Sequence, residues 1–332
     1  MSPRIKRLLP WVLSLLFIGF LFATTDVDLF MASLEKADWV RLVGVMAIVT
    51  LGAFVADAGT LLPLIRRFVS PETNYSEILR VKGVSYFLNA LNYSLAAGGM
   101  AFVLSRKHGT TFMRAFSPLV WFFFVDIIAL GILLAFGFVV HQGLFADPEL
   151  AGKIPFVLLV VWLIIVGSLI YWNAGFDLFF FGFFRKWRIF SAFSEATLSD
   201  YARFVPIRMA FIGVYVLMHY LLLPAFGVEI PIGALIAYAP LITFVQVIPA
   251  TVSGLGAVQS VMVVLFAAHV TGDEKTGRAV IFAYSTVIGP LMMLMRLGIG
   301  YAFMSRVTRD LVPDKASIEA AQRDAQAAEQ DA

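Results

Sequence analysis

No cysteine occurs in the 332 residues, which excludes disulfides, thiol catalysis and Cys-ligated metal. Charge is equally scarce: 14% of residues are Asp, Glu, Lys or Arg, where soluble domains carry roughly 25%. The four histidines have no metal-ligand spacing, and no phosphate-binding loop is present, so neither a metal centre nor nucleotide-driven chemistry is expected. What fills the space is apolar. Hydrophobic residues make up 60% of the chain and mean hydropathy is +0.87, the composition of an integral membrane protein.

The apolar runs are rich in Leu, Ile, Phe and Val and lack strand-like alternation, so an all-α membrane protein is expected. Runs near 8–24, 39–65, 115–140, 154–172, 207–227 and 278–304 have about the ~20 residues needed to cross a bilayer. The first follows a basic stretch and has the form of a signal-peptide core or of an uncleaved anchor, the latter being the expectation. Two further apolar regions, 78–105 and 232–269, are each interrupted midway by polar residues and glycine. In the first the break is "NALNYSLAAGGM"; in the second it is "QVIPATVSGLGAVQ".

Positive charge decides how these regions lie. If both turn back as hairpins, 19 of the 25 basic residues fall on one side, among them Lys82 and Arg208, and five on the other. A single crossing by 78–105 would move "FRKWR" and all later loops to the opposite face and largely abolish that bias. The expected architecture is therefore six spans plus two opposed re-entrant hairpins in an inverted-repeat, transporter-like bundle. Residues 1–309 form the membrane domain and 310–332 a polar cytoplasmic tail, with both termini cytoplasmic and the chain in the inner (cytoplasmic) membrane.

A hairpin leg such as 78–91 rises about 21 Å and cannot cross a core of ~30 Å. Its tip leaves backbone groups that must be buried in protein or line a wet cavity. The tips thus nominate Asn89, Asn92, Tyr93, Ser94, Gly98 and Gly99 on one side, and Pro249, Thr251, Ser253, Gly254, Gly256 and Gln259 on the other, as substrate-binding residues. A helix beginning near Gly256 would point free amides inward, a geometry suited to phosphate or carboxylate. The competing explanation is that small residues here only let helices pack closely. Asp57, Asp126 and Arg296 lie inside spans, where a charge costs at least ~2.5–3.5 kcal/mol and faces a bundle interior. They line a cavity or form a structural Asp–Arg pair. His219 reads as a satisfied polar residue between helices. The triplet "DVD" at 26–28 has the form of a glycosyltransferase metal motif, but it sits in what reads as a short acidic loop and arises easily by chance.

With these segments in order, the chain resembles the membrane regions of lysylphosphatidylglycerol synthases and their stand-alone, flippase-like relatives. "NALNYSLAAGGMAFVLSRKHG" keeps Asn89, Gly99 and the basic-Gly ending of that family's first motif. Asp126 in "WFFFVDIIAL" matches the Asp of its second, and Pro249, Gly254, Leu255 and Gly256 in "PATVSGLGAVQ" match its late motif. The departures fall on charges. Met100 and Gln259 stand where the family usually has Glu, and Phe122 and Phe123 where it has a Glu-Arg pair. Where those charges handle a cationic lipid head or couple ions, this chain is expected to do neither. The resemblance implies lipid translocation, with aminoacylated phospholipid, polyprenyl-linked or hopanoid-like cargo, by a stand-alone member without the synthase domain. The expected substrate is a membrane lipid with a polar head group, with no enzyme activity, no cofactor and no nucleic-acid partner. A homo-oligomer or an envelope-biosynthesis partner is left open. The alternative is a membrane-embedded enzyme or accessory subunit in lipid-linked glycan or envelope assembly.

Overall fold

The computed structural model describes residues 3–91, 93–140, 148–173, 182–247 and 254–311, and among these every regular element is helical. In chain order the α-helices are α1 (Pro3–Thr24), α2 (Val27–Lys36), α3 (Trp39–Phe68), α4 (Tyr75–Leu91), α5 (Tyr93–Lys107), α6 (Phe112–Val140) and α7 (Pro148–Asn173). They continue with α8 (Gly182–Arg185), α9 (Ser191–Glu195), α10 (Leu198–Leu222), α11 (Ile232–Val247), α12 (Ala257–Phe266) and α13 (Glu274–Leu311). Helices α3, α6, α7, α10 and α13 are long and apolar enough to cross a membrane. Helix α1 adds a sixth when joined to α2, although the two meet at 95°.

Helix α2 lies where the sequence reads as a short acidic loop. Asp26 starts it, its carboxylate accepting the backbone N–H groups of Asp28 and Leu29 at 3.1 Å. The "DVD" triplet is thus, at its first residue, a helix cap.

The polar connections sort the helix ends into two sets. At one end Arg67 (α3) reaches Asp200 (α10) at 3.2 Å, and Arg114 (α6) reaches Glu195 (α9) at 2.7 Å. At the other end the Asp38 N–H donates to Ala225 O at 2.9 Å, and Arg278 (α13) donates to Thr24 at 3.3 Å. The two short helix pairs attach to opposite ends. Glu77, at the start of α4, pairs with His108 at 2.7 Å and Lys107 at 3.3 Å where α5 finishes, so both mouths of that hairpin sit at the first, basic end. Helix α11 follows the Ala225 turn, and its Tyr238 ring packs 5.9 Å from His269 just beyond α12, beside the α13 start. That hairpin opens at the second end.

Each hairpin is wrapped in its own apolar core. Leu61, Leu64, Ile78, Leu104, Trp121 and Phe204 build one around α4 and α5; Met46, Leu235, Tyr238, Phe266, Phe282 and Tyr284 build the other around α11 and α12. Outward faces stay apolar too: on α7, Phe156, Leu159 and Leu163 are all more than half exposed, as lipid contact requires.

Candidate functional site

Helix α10 begins well before hydropathy suggests. In "TLSD" the Thr197 hydroxyl accepts the Asp200 N–H at 3.4 Å and the Asp200 carboxylate accepts the Thr197 N–H at 2.9 Å, a reciprocal cap. Starting there, the helix carries Arg208 about 15 Å deep instead of leaving it at the membrane surface. Helix α4 gains its early start in the same way, with the Asn74 side chain accepting the Glu77 N–H at 3.0 Å, so Lys82 also falls inside the bundle.

These two cations meet the two carboxylates nominated from the sequence. The Arg208 guanidinium donates from Nε and Nη2 to both oxygens of Asp126, the second bond at 3.1 Å. Its Nη1 donates to Asp57 at 3.2 Å and to the Thr60 hydroxyl at 3.0 Å. Lys82 Nζ holds the other Asp57 oxygen at 2.7 Å. The rings of Phe122 and Phe211 flank the guanidinium at 4.6 and 4.4 Å, so one of the two Phe residues standing in place of a charged pair serves as a cation–π face. Helices α3, α4, α6 and α10 are fastened at this point, and Arg208 is only 7% exposed.

Arg296 belongs to the same tier but not to the same ion pairs. It lies ten residues before Arg306 on α13, about 15 Å along the axis. Its Nη2 donates to the Tyr215 hydroxyl at 3.3 Å, and its guanidinium stands 5.5 Å from the Tyr86 ring. Close approach of α4 and α13 brings it there: a Cβ on Gly300 would come within 2.7 Å of the Phe87 nitrogen. Tyr86 is four residues from Lys82 and Asn89 three further, so 82, 86 and 89 form one face of α4. Arg208 and Tyr215 share a face of α10 in the same way. The result is a polar seam running from the fastened cluster to Arg296, with half-buried Asn89 next along α4. Beside it, Leu133, Met209, Gly213, Val216, Leu217 and Ile236 line an apolar groove of about 320 Å³ between α6, α10 and α11.

The remaining nominated residues divide. Asn92, Pro249, Thr251 and Ser253 lie outside the described residues, as do the side chains of Tyr93 and Ser94, which open α5. A Cβ on Gly98 would meet nothing within 4 Å, whereas one on Gly99 would strike Leu88 of the facing leg. Gly254 and Gly256 have φ of 80° and 83°, the region that favours glycine. Gly256 also lies against the α1 backbone: a Cβ there would sit 3.0 Å from Ser14 O. The amide expected to be free at this helix start is taken, because Gln259 Oε1 accepts the Gly256 N–H at 2.6 Å. His219 is a satisfied polar residue, its Nδ1 2.7 Å from the Tyr284 hydroxyl.

The sequence thus nominated both carboxylates and Arg296 but counted Arg208 and Lys82 only among the basic residues that set orientation. Their signals were the helix caps "TLSD" and "NYSE", which move each cation two to three turns into a helix.

A multi-pass α-helical membrane protein with a buried ionic layer and two helical hairpins opening to opposite ends is the class these observations define. Residues 7–293 match the family described as the lysylphosphatidylglycerol synthase TM region, and the chain belongs to that family. Neither the curated proteins nor the solved structures contain a match.

Proposed function

We propose that this protein is a flippase-like lipid transporter, in which a polar head group passes along the seam between the hairpins while the acyl chains stay in the bilayer. The observation that carries the reading is the ionic tier of Asp57, Lys82, Asp126, Arg208 and Arg296, at mid-depth and between hairpins that open to opposite ends. Ionisable residues held this deep mark substrate paths in membrane proteins. Paired broken elements mark transporter sites near the midplane, which supports the inverted-repeat reading. The apolar groove beside Met209 offers a course for a lipid tail next to the polar seam. On this reading both hairpins re-enter the membrane, the basic end faces the cytoplasm, and the chain makes and breaks no covalent bond.

The test is reconstitution into vesicles containing lipids labelled on the acyl chain, with a membrane-impermeant quencher added outside. Protein-containing vesicles should lose nearly all fluorescence, and protein-free vesicles about half. The same loss with and without protein, for every lipid in a panel of anionic, zwitterionic and cationic head groups, would refute the proposal. A chemically altered lipid found by mass spectrometry would instead favour a membrane-embedded enzyme.

A further inference from the structure

Resting on the transport reading above, we infer that Arg296 and the Tyr215 hydroxyl form a seat for a phosphate ester, and that the lipid carried has a net anionic head group. Three cations face two carboxylates in the ionic tier, leaving one positive charge over. The excess sits on Arg296. Arg208 spends its donors on Asp126, Asp57 and Thr60, and Lys82 is bound to Asp57. Arg296 has no carboxylate within salt-bridge reach among the described residues and donates once, to a neutral hydroxyl.

Burial differs in the same sense. Arg208 is buried between two rings, while Arg296 and Tyr215 are both half-buried. A guanidinium offers five N–H donors in a planar fork that matches two phosphate oxygens. The Tyr215 oxygen accepts from Arg296, so its own proton is free to donate to a third. The Tyr86 ring forms one wall, and Asn89 lies one turn along the same face. Among the described residues a cationic head group finds no counterpart, because both carboxylates at this depth already hold cations. The tier therefore selects phosphate without a balancing ammonium.

The experiment compares the wild-type chain with Arg296→Gln and Arg296→Lys, all in nanodiscs and in vesicles. Retention of phosphatidylglycerol, phosphatidylcholine and lysyl-phosphatidylglycerol is read by native mass spectrometry, and movement by the quenching assay. The inference expects preferential retention of phosphatidylglycerol, a loss of roughly tenfold to a hundredfold in Arg296→Gln, and partial recovery in Arg296→Lys. Equal retention of the three lipids by the wild type would overturn it, as would Arg296→Gln retaining phosphatidylglycerol normally. Glycerol phosphate added alone distinguishes the sources: Arg296-dependent binding of glycerol phosphate without phosphatidylglycerol retention would overturn the assignment to a lipid. If phosphatidylglycerol is retained through Arg296 but no lipid moves, the transport reading fails and the anion seat stands. If lipids move without regard to charge, the seat fails and transport stands. The wild-type selectivity needs no variant, so a misfolded Arg296→Gln protein cannot mask the answer.

Discussion

Replacing Arg208 with Met is the sharpest test of how the bundle is held together. Removing one partner of a buried ion pair costs about 3–5 kcal/mol, because the remaining charge stays buried without compensation. The two carboxylates here are not equivalent. Asp57 keeps Lys82 at 2.7 Å after the change, but Asp126 loses the guanidinium that engages both of its oxygens. The cost should therefore arise almost wholly at Asp126. Taking about 2 °C per kcal/mol for a large chain, R208M should lower the unfolding midpoint by roughly 6–10 °C. Adding Asp126→Asn to it removes the stranded charge and leaves the Asp57–Lys82 pair intact. The double variant should recover more than half of the loss, a coupling of about 2 kcal/mol or more in a double-mutant cycle. The assay is tryptophan fluorescence against temperature in detergent, supported by a monodisperse elution profile. The reasoning is refuted if R208M unfolds within about 2 °C of wild type, or if D126N/R208M is less stable than R208M alone.

Two further outcomes follow from the same geometry. The chain has no native thiol, so single cysteines report without background: Glu72→Cys and Arg106→Cys should label from one membrane face, and Glu229→Cys and Lys275→Cys from the other. Opposite labelling within either pair would show that its hairpin crosses. Gly256→Ala should destabilise by about 1–3 kcal/mol through its positive φ and its contact with α1. Gly98→Ala, with open space around it, should be neutral or slightly stabilising. Thermal midpoints that moved together would contradict the close packing of α12 on α1.

Apolar runs and the bias of basic residues were enough to recover the long helices, because crossing a bilayer fixes both length and composition. One-sided charge placement agrees with the Glu77–Lys107 and Glu77–His108 pairs that close α4 and α5 at the basic end, while re-entry into the membrane stays part of the proposal. Asp57 and Asp126 were legible for the same reason, since an acid inside an apolar run has no other explanation. Arg208 was not. It follows "SDYARFVPI", where hydropathy falls although the helix continues, and a hydropathy window reads such a segment as loop. Helix caps are the local signal that corrects this. The identity of the partners is not local at all, because Arg208 and Asp126 are 82 residues apart and meet only through the packing of α6 and α10. Helix α2 escaped for a related reason: ten residues lying across the bundle end have neither the length nor the hydropathy of a span.

Gln259 shows where charge matters in this chain and where it does not. Its carbonyl oxygen, not a charge, holds the Gly256 N–H, and a neutral amide performs that task as well as a carboxylate. With Gly254 and Gly256 taking positive φ and α1 pressed against Gly256, backbone geometry and packing account for these two glycines. Met100, at 9% exposure in the core around the first hairpin, likewise brings no charge to it. Ionic chemistry is instead concentrated away from these positions, on α3, α6, α10 and α13 and on the body of α4. The first hairpin thus contributes through the body of one leg, where α4 brings Lys82, Tyr86 and Asn89 toward Arg208 and Tyr215 on α10. On the transport reading proposed above, that division puts substrate discrimination in the seam, and above all at Arg296, its one cation without a carboxylate among the described residues.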